Sequence, residues 1–155
     1  FKSKRCPSCG FTYYHNAAAA VAVFLEDGEG RVLACRRAFE PAKGTLDLIG
    51  GFVDPGESLT DAVVREVREE CGADISSCRL SLVASHPNVY TFGGLDVNTC
   101  DAIFRTVVPA GFAPVPADDV SECIWIPLDE LPSRVHEFGL DSIREAVEDY
   151  IRERC

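Results

Sequence analysis

Three glutamates, Glu66, Glu69 and Glu70, occupy positions i, i+3 and i+4 of a segment whose pattern predicts a helix. Since residues three and four apart share one helix face, we expect their carboxylates to converge. Like charges placed in this way destabilise a helix unless a cation lies among them. Oxygen ligands clustered like this suit a hard divalent cation such as Mg²⁺. The spacing therefore predicts a metal site.

A simpler explanation of the same spacing is a solvated helix face. In that case Arg65 and Arg68, on the same helix, act as the counter-ions of the glutamates. Spacing alone favours this simpler explanation. The choice between the two therefore depends on the residues that surround the three glutamates.

The composition limits the classes of function. The chain has 155 residues, of which 46% are hydrophobic, and this is the profile of one globular domain. Its net charge of -10 argues against binding to nucleic acid or to an anionic membrane. A phosphate-bearing nucleotide remains acceptable where metal ions reverse the local charge. We therefore expect a small-molecule nucleotide partner, no nucleic acid and no membrane.

Cysteine usage and the absence of targeting signals predict a cytoplasmic location. The longest apolar run, residues 17–25, falls short of the roughly 20 residues that a membrane helix needs. No secretory signal is visible, and the eight cysteines are scattered apart from Cys6 and Cys9, so we expect buried thiols rather than disulfides. The chain opens on Phe1 and contains no methionine, so we expect its natural start to lie upstream.

Strands and helices are predicted to alternate in a way typical of a layered α/β fold with a mixed sheet. The predicted strands are residues 17–25, 31–37, 46–49, 78–85, 98–108 and 122–126. The glutamate helix begins after the N-cap residue Ser58 and ends at the C-cap residue Gly72. A short helical turn is predicted at residues 128–131 and an amphipathic helix at 141–154.

The residues around the glutamates match a known pattern. The chain resembles the Nudix family, whose box is matched by Gly51, Glu57, Arg65, Glu66, Val67, Glu69, Glu70 and Gly72. Ile49 departs from the proline that many members carry before the glycine pair, and Ala73 departs from the bulky aliphatic residue that closes the box. The resemblance implies an α/β/α sandwich over residues 17–155, preceded by a short head at residues 1–16.

The family resemblance also implies an activity and a set of roles. It implies Mg²⁺- or Mn²⁺-dependent hydrolysis of the pyrophosphate bond of a nucleoside diphosphate derivative, such as NADH, ADP-ribose or a dinucleotide. Glu66, Glu69 and Glu70 would hold the metal, with the Gly50 carbonyl as a further ligand. Arg65 would pair with Glu57 to brace the loop against the helix. The general base stays open: Glu69 is the leading choice, with Glu70 and Asp119 as alternatives.

Candidate substrate contacts lie outside the box. Arg36 and Arg37 alternate along a strand, so only one of them can face the cleft and contact a phosphate. Phe52 is a further candidate, and either Tyr90 or Phe92 could stack on a base. After the box, only Ser85 and Pro87 match the signature of NADH pyrophosphatases.

The cysteine pair in the head suggests a second metal. Cys6-Pro-Ser-Cys9 is similar to half of the four-cysteine zinc ribbon that precedes the catalytic domain in NADH pyrophosphatase-like members. A structural zinc needs four ligands, so the first cysteine pair would lie upstream of Phe1, with His15 as the nearby alternative ligand. The head is therefore predicted to be a zinc-ribbon remnant.

Two other functions compete with the main hypothesis. One is a non-catalytic Nudix module that senses a nucleotide, although such modules typically lose box carboxylates that this chain retains. The other is a pyrophosphohydrolase that cleanses the nucleoside triphosphate pool, with the same chemistry and a different pocket. Homodimerisation is common among similar proteins and is kept as a hypothesis.

Overall fold

The central sheet is built around one buried strand. The computed structural model describes residues 2–154, apart from the side chain of Phe92. Its strands are β1 (Ser3–Arg5), β2 (Thr12–Tyr14), β3 (Ala18–Glu26), β4 (Arg31–Arg37), β5 (Leu46–Asp47), β6 (Ile49–Phe52), β7 (Ser81–Phe92), β8 (Leu95–Val107) and β9 (Val120–Pro127). Its helices are α1 (Leu59–Cys71), α2 (Leu131–Arg134), a 3-10 helix (Val135–Glu137) and α3 (Asp141–Arg154).

Strand β3 pairs in both senses. It runs parallel to β8 and antiparallel to β4 and β6. Strand β4 continues the sheet through antiparallel pairs with β5 and β9, and β7 pairs antiparallel with β8 at the opposite side. The predicted mixed sheet is therefore confirmed.

Alternate residues of β3 divide the core into two layers. Val21 and Val23 pack in the same cluster as Val67 of α1, whereas Phe24 packs with Val147 of α3. This division follows from the period of two along a strand, which points successive side chains to opposite faces. With one helix layer on each face, the chain forms the predicted α/β/α sandwich.

Helix α1 is delimited by its own capping residues. The hydroxyl of Ser58 accepts a hydrogen bond from the Asp61 N–H, and the Asp61 carboxylate accepts one from the Ser58 N–H, so the pair forms a capping box. Gly72 ends the helix in the left-handed conformation, at φ 65°. Val63 and Val67 are fully buried against the sheet. Their burial fixes the rotation of α1 about its own axis, so that its glutamates lie beside the buried face.

Several boundaries differ from those predicted. Strand β7 continues through residues 86–92, which were expected to form a loop, and β8 begins earlier than predicted. These residues contain Pro87 and Asn88, which are uncommon in strands, but they lie at the edge of the sheet and are held there by antiparallel pairing with β8. The predicted helical turn at 128–131 is displaced to Leu131–Arg134, and the strand predicted at 46–49 is interrupted at Leu48.

The head forms a small separate sheet. Strands β1 and β2 pair antiparallel, and Cys6 and Cys9 lie in the turn that joins them. The Cys6 N–H donates to the Phe11 carbonyl, and the Gly10 N–H donates to the Cys6 carbonyl. Among the described residues, no helix has the length and apolar character needed to cross a membrane.

Candidate active site

The predicted box carboxylates border one pocket. Glu66, Glu69 and Glu70 of α1 line it together with Gly50 and Gly51 of β6. Glu66 and Glu70 are 9% and 7% exposed, whereas the side chain of Glu69 is 46% exposed. The helix therefore presents two buried carboxylates and one half-exposed carboxylate to the same space.

Arg65 connects these carboxylates to the loop before the helix. Its guanidinium donates twice to Glu57, at 2.9 and 3.0 Å, and once to the Phe52 carbonyl, at 2.9 Å. The same group donates to Glu66 at 2.8 Å and to Glu69 at 2.9 Å. Because a guanidinium offers five donors in a rigid fork, one side chain holds the loop, the strand and the helix in register.

These contacts shift the pKa values in opposite directions. Hydrogen bonds from Arg65 and then from the Asp54 N–H lower the pKa of Glu57. Burial raises the pKa of Glu66, although Arg65 partly offsets this. The net result is that the ionised form is favoured at Glu57, on the loop, and disfavoured at Glu66, on the helix.

The surroundings of Glu70 strongly disfavour its ionised form. Burial, followed by repulsion from Glu66, raises its pKa to about 9, even though the Gly50 N–H donates to it at 3.2 Å. Asp47 and Asp119 add further repulsion. Like charges buried together are costly unless a cation compensates them, so the ionised form of Glu70 is disfavoured, while in the described part of the chain Arg65 is the only cation that contacts the glutamates of α1.

The glycine pair is required by close packing. A Cβ on Gly51 would lie 2.4 Å from a carboxylate oxygen of Glu66, and one on Gly50 would lie 2.0 Å from the Val21 carbonyl oxygen. Both distances are shorter than any ordinary contact. The two glycines therefore allow β6 to approach both β3 and the buried Glu66 carboxylate.

The chemistry of this donor set fits a hard divalent cation. Glu66, Glu69, Glu70 and the Gly50 carbonyl offer only oxygen ligands, which Mg²⁺ and Mn²⁺ prefer. Among residues 2–154, no three His, Cys, Asp or Glu side chains stand close enough together to enclose an ion. Instead, the Arg65 guanidinium lies between Glu66 and Glu69. A cation would offset the burial and the repulsion that raise the pKa of Glu70.

The loop between β8 and β9 brings further acids to the pocket. The Val115 and Ala117 N–H groups donate to the carbonyls of Cys71 and Glu70, both at 2.9 Å, and thereby attach the loop to the end of α1. Asp118 and Asp119 follow directly and line the pocket. Asp119, predicted as an alternative base, therefore lies at the same pocket as Glu69 and Glu70.

The two neighbouring arginines have different environments. Arg37 lines the pocket, where it donates to Asp47 and, at 3.2 Å, to the Tyr90 hydroxyl. Arg36 instead donates to Glu122 at 2.9 Å and to the Gly44 carbonyl at 2.8 Å. Arg37 can therefore meet a substrate in the pocket, whereas Arg36 is not among the lining residues.

Two aromatic rings form part of the pocket wall. Phe52 of β6 and Tyr90 of β7 line it and pack edge to face, with ring centroids 5.6 Å apart. Phe52 is 40% exposed, so one face of this pair remains open to a ligand. The side chain of Phe92, the alternative stacking residue, lies outside the described part of the chain.

Comparison with known proteins decides the family. The NUDIX domain family model matches residues 16–147. The chain belongs to the Nudix family. The resemblance inferred from the box is therefore confirmed, and the carboxylates described above lie within the matched residues.

Relatives and solved structures agree with this Nudix assignment. The NAD-capped RNA hydrolase NudC of Stutzerimonas stutzeri is 29% identical over 130 residues, which are 83% of this chain and 43% of that protein. The ADP-ribose pyrophosphatase of Methanocaldococcus jannaschii is 30% identical over 140 residues, 90% of this chain and 76% of that protein. This Nudix chain thus spans less than half the length of the NudC relative.

A solved structure matches the fold. The crystal structure of a NUDIX hydrolase from Nitrosomonas europaea has a TM-score of 0.69 at 24% identity, and the match covers 97% of this chain and 78% of that one. At this identity the likeness concerns the Nudix fold alone.

Sequence reasoning missed one group of polar residues in the Nudix pocket. These lining residues are Asp47, Asn88, Thr99 and Asp101. Asp47 and Asp101 each interrupt a short apolar run, and an acidic residue predicted to be buried was the available signal. Asn88 offered no such signal, because its segment was expected to be a loop.

The cysteine pair lies in the head hairpin, apart from the residues that line the pocket. A hydrogen bond with the Ser8 hydroxyl, at 3.1 Å, and backbone N–H groups lower the pKa of Cys6 to about 6. Within residues 2–154 no third ligand completes a zinc site with Cys6 and Cys9. The zinc-ribbon remnant therefore stays a prediction.

Proposed function

We propose that this Nudix chain hydrolyses the pyrophosphate bond of a nucleoside diphosphate derivative, such as NADH, ADP-ribose or a dinucleotide. One observation carries the proposal. The buried carboxylates Glu66 and Glu70 and the half-exposed Glu69 border the same pocket as the Phe52–Tyr90 pair. Acidic groups that bind a cation and aromatic groups that bind a base are the two features that a nucleoside diphosphate requires.

The reaction depends on a divalent metal, Mg²⁺ or Mn²⁺, held by Glu66, Glu69, Glu70 and the Gly50 carbonyl. When bound, such an ion neutralises the diphosphate and lowers the pKa of a water molecule. The raised pKa of Glu70 supports this proposal, because burial and repulsion from Glu66 disfavour the ionised carboxylate and a bound cation would favour it.

Glu69 is the proposed general base. It is the most exposed of the three glutamates, and Arg65 orients its carboxylate through the 2.9 Å hydrogen bond. It would take a proton from the water that attacks one phosphorus, while the bridging oxygen leaves with the other phosphate. Asp119, which lines the same pocket, is the alternative base.

Arg65 and Glu57 are proposed to act as positioning residues. Their doubly hydrogen-bonded pair ties the loop before α1 to the helix that carries Glu66 and Glu69. Since a displacement of about 1 Å can lower a rate a hundredfold, this brace would hold the carboxylates where the reaction needs them.

Arg37, Phe52 and Tyr90 are the proposed substrate contacts. Arg37 supplies the positive charge on the strand side of the pocket, and the aromatic pair supplies a surface for a base. Arg36 was an equal candidate on sequence grounds. Its contacts with Glu122 and the Gly44 carbonyl favour a structural role for it.

The proposed Nudix hydrolase domain spans residues 17–155, after the hairpin head at residues 1–16. The hydrogen-bonding pattern supports this division, because β1 and β2 pair with each other in a sheet of their own. A cytoplasmic location and a homodimer remain predictions.

A hydrolysis screen tests the proposal. The full chain is incubated with NADH, ADP-ribose, a dinucleoside polyphosphate and nucleoside triphosphates, with Mg²⁺ or with a chelator, and the products are separated. We expect two phosphorylated products from a dinucleotide or from ADP-ribose, and only when the metal is present. Binding of these compounds without cleavage would instead favour the nucleotide-sensing module. Cleavage confined to triphosphates would favour the pool-cleansing function.

A further inference from the structure

A buried carboxylate lies on the wall of the pocket opposite α1, outside the box. Asp101 of β8 lines the pocket and is 6% exposed. It accepts hydrogen bonds from the hydroxyls of Thr99 and Ser142, both at 2.6 Å, and from the Asn88 amide at 3.3 Å. These donors come from β8, α3 and β7, so three elements hold one side chain in place.

The hydrogen bonds leave Asp101 with acceptor capacity. A carboxylate can accept about four hydrogen bonds. Oδ2 accepts two, from Asn88 and Ser142, and Oδ1 accepts one, from Thr99. In the part of the chain that the structure describes, Asp101 forms no ion pair with a Lys, Arg or His. One acceptor position on Oδ1 therefore remains for a neutral donor from a ligand.

The register of the sheet places this acceptor beside the aromatic pair. Ala20 of β3 is the partner of Phe52 on one side and of Asp101 on the other. Phe52 and Asp101 are thus two strand spacings apart, about 10 Å. Tyr90 lies two residues from Asn88 on β7, so the two side chains share a face. Strands β3 and β8 thus lie between the strands that carry the two rings, so a base bound at the aromatic pair would lie within reach of Asp101.

We propose that Asp101 determines substrate specificity by accepting a hydrogen bond from an exocyclic amino group on the substrate's base. This inference rests on the proposed function and names the class of base. An ionised carboxylate is an acceptor only, so it attracts an N–H group and repels a carbonyl oxygen at the same position. The pocket therefore selects an amino-bearing base such as adenine over an oxo-bearing base such as hypoxanthine.

The test compares matched substrates. ADP-ribose and NADH are each compared with their inosine counterparts, which carry a carbonyl oxygen in place of the amino group. For whichever parent compound the full chain cleaves faster with Mg²⁺, we expect its kcat/KM to exceed that of the inosine counterpart by roughly tenfold to a hundredfold.

Asp101→Asn is the decisive variant. The amide can both donate and accept, so the preference should fall to about threefold or less. Asp96→Asn is the matched control: Asp96 also lies on β8 and accepts from the Thr91 hydroxyl at 2.7 Å, but it does not line the pocket. The control should keep the full preference. Thermal unfolding, followed by circular dichroism, checks that both variants are folded.

Ser142→Ala keeps the inference testable if Asp101→Asn fails to fold. It retains the carboxylate but removes one of its anchors, so we expect the preference to fall severalfold while the enzyme stays active. A preference unchanged in both variants would overturn the inference, as would equal cleavage of amino and oxo substrates by the wild type. Loss of discrimination only towards 2′- or 3′-deoxyribose analogues would overturn it too, because Asp101 would then contact the sugar. Failure of the wild type to cleave any of these compounds would overturn the proposed function itself.

Discussion

The buried carboxylates on the two walls of the pocket have contrasting environments. On α1, Glu70 accepts a hydrogen bond from the Gly50 N–H, but burial and then repulsion from Glu66 raise its pKa to about 9. On β8, Asp101 accepts from two hydroxyls and an amide. The first wall disfavours the ionised form of Glu70, whereas on the second wall neutral donors hold Asp101 and leave one acceptor position open.

This difference suggests a division of labour. A site that binds a cation gains from crowded carboxylates, because the ion relieves their repulsion. A site that selects a neutral group gains from a carboxylate whose position is already fixed, because no rearrangement is needed on binding. We therefore expect substitutions on the α1 wall to change turnover and metal dependence, and substitutions on the β8 wall to change selectivity.

The sharpest test of the α1 wall is Glu69→Gln. If Glu69 is the base, the neutral amide cannot accept the proton, and turnover should fall by about 10²- to 10⁴-fold. Steady-state kinetics with Mg²⁺ measures this, and an unchanged unfolding temperature shows that the fold survives. Glu148→Gln, on the exposed face of α3, is the matched control and should retain full activity. Retained turnover in Glu69→Gln would refute the assignment.

Arg65→Lys should have the next largest effect. Lysine cannot reproduce the fork that reaches Glu57, Glu66 and the Phe52 carbonyl, so the brace and the local charge balance both weaken. We expect kcat/KM to fall roughly tenfold to a hundredfold and stability to fall by about 1–3 kcal/mol. Kinetics and urea denaturation measure the two effects.

Arg68→Lys controls for the change of residue type on the same helix. The side chain of Arg68 is 61% exposed and pairs only loosely with Asp74, at 3.5 Å. The change should therefore cost less than about 0.5 kcal/mol. Equal losses in the two variants would argue against a bracing role for Arg65.

The pH dependence of stability probes the raised pKa of Glu70. Its pKa is about 9 in the folded chain against 4.5 when unperturbed, so its contribution to stability is fully present below about pH 4.5 and is lost as the pH rises towards 9. With a chelator present, we expect Glu70→Gln to flatten this decline and to gain about 1–3 kcal/mol at pH 8. Thermal unfolding between pH 5 and 9 measures it.

Added Mg²⁺ should reverse the order of the two proteins. The wild type retains the carboxylate that would bind the ion, so its unfolding temperature should rise more than that of Glu70→Gln. If the unfolding temperature depended on pH in the same way in both proteins, ionisation of Glu70 would not be what lowers the stability at high pH.

The smallest expected effect separates the two neighbouring arginines. Arg37→Lys removes the contact with Tyr90 and weakens the one with Asp47 at the pocket. KM should therefore rise severalfold, which corresponds to a loss of about 1 kcal/mol in the free energy of substrate binding. Arg36→Lys alters the partly exposed pair with Glu122 and should leave KM within about twofold. If Arg36→Lys raised KM more, the substrate would have to contact the other face of β4.

The predictions that succeeded depended on local periodicity. The limits of α1 followed from Ser58 and Gly72, whose capping chemistry acts within a few residues. Strands β3 and β4 were recognised because nearly continuous apolar residues predict burial on both faces. Residues 86–92 escaped recognition because an edge strand needs little hydrophobicity when its neighbour supplies the hydrogen bonds.

The sequence by itself determined the family, the glutamate helix and the list of possible bases, because helical spacing and caps depend on neighbours along the chain. Only the tertiary structure decided which arginine reaches the pocket, because alternation along β4 puts the two on opposite faces and the packing of distant segments decides which face borders the pocket. It also decided the surroundings of Asp101, whose partners Asn88 and Ser142 are 13 and 41 residues away. No local pattern encodes such contacts, because they exist only when distant segments pack side by side.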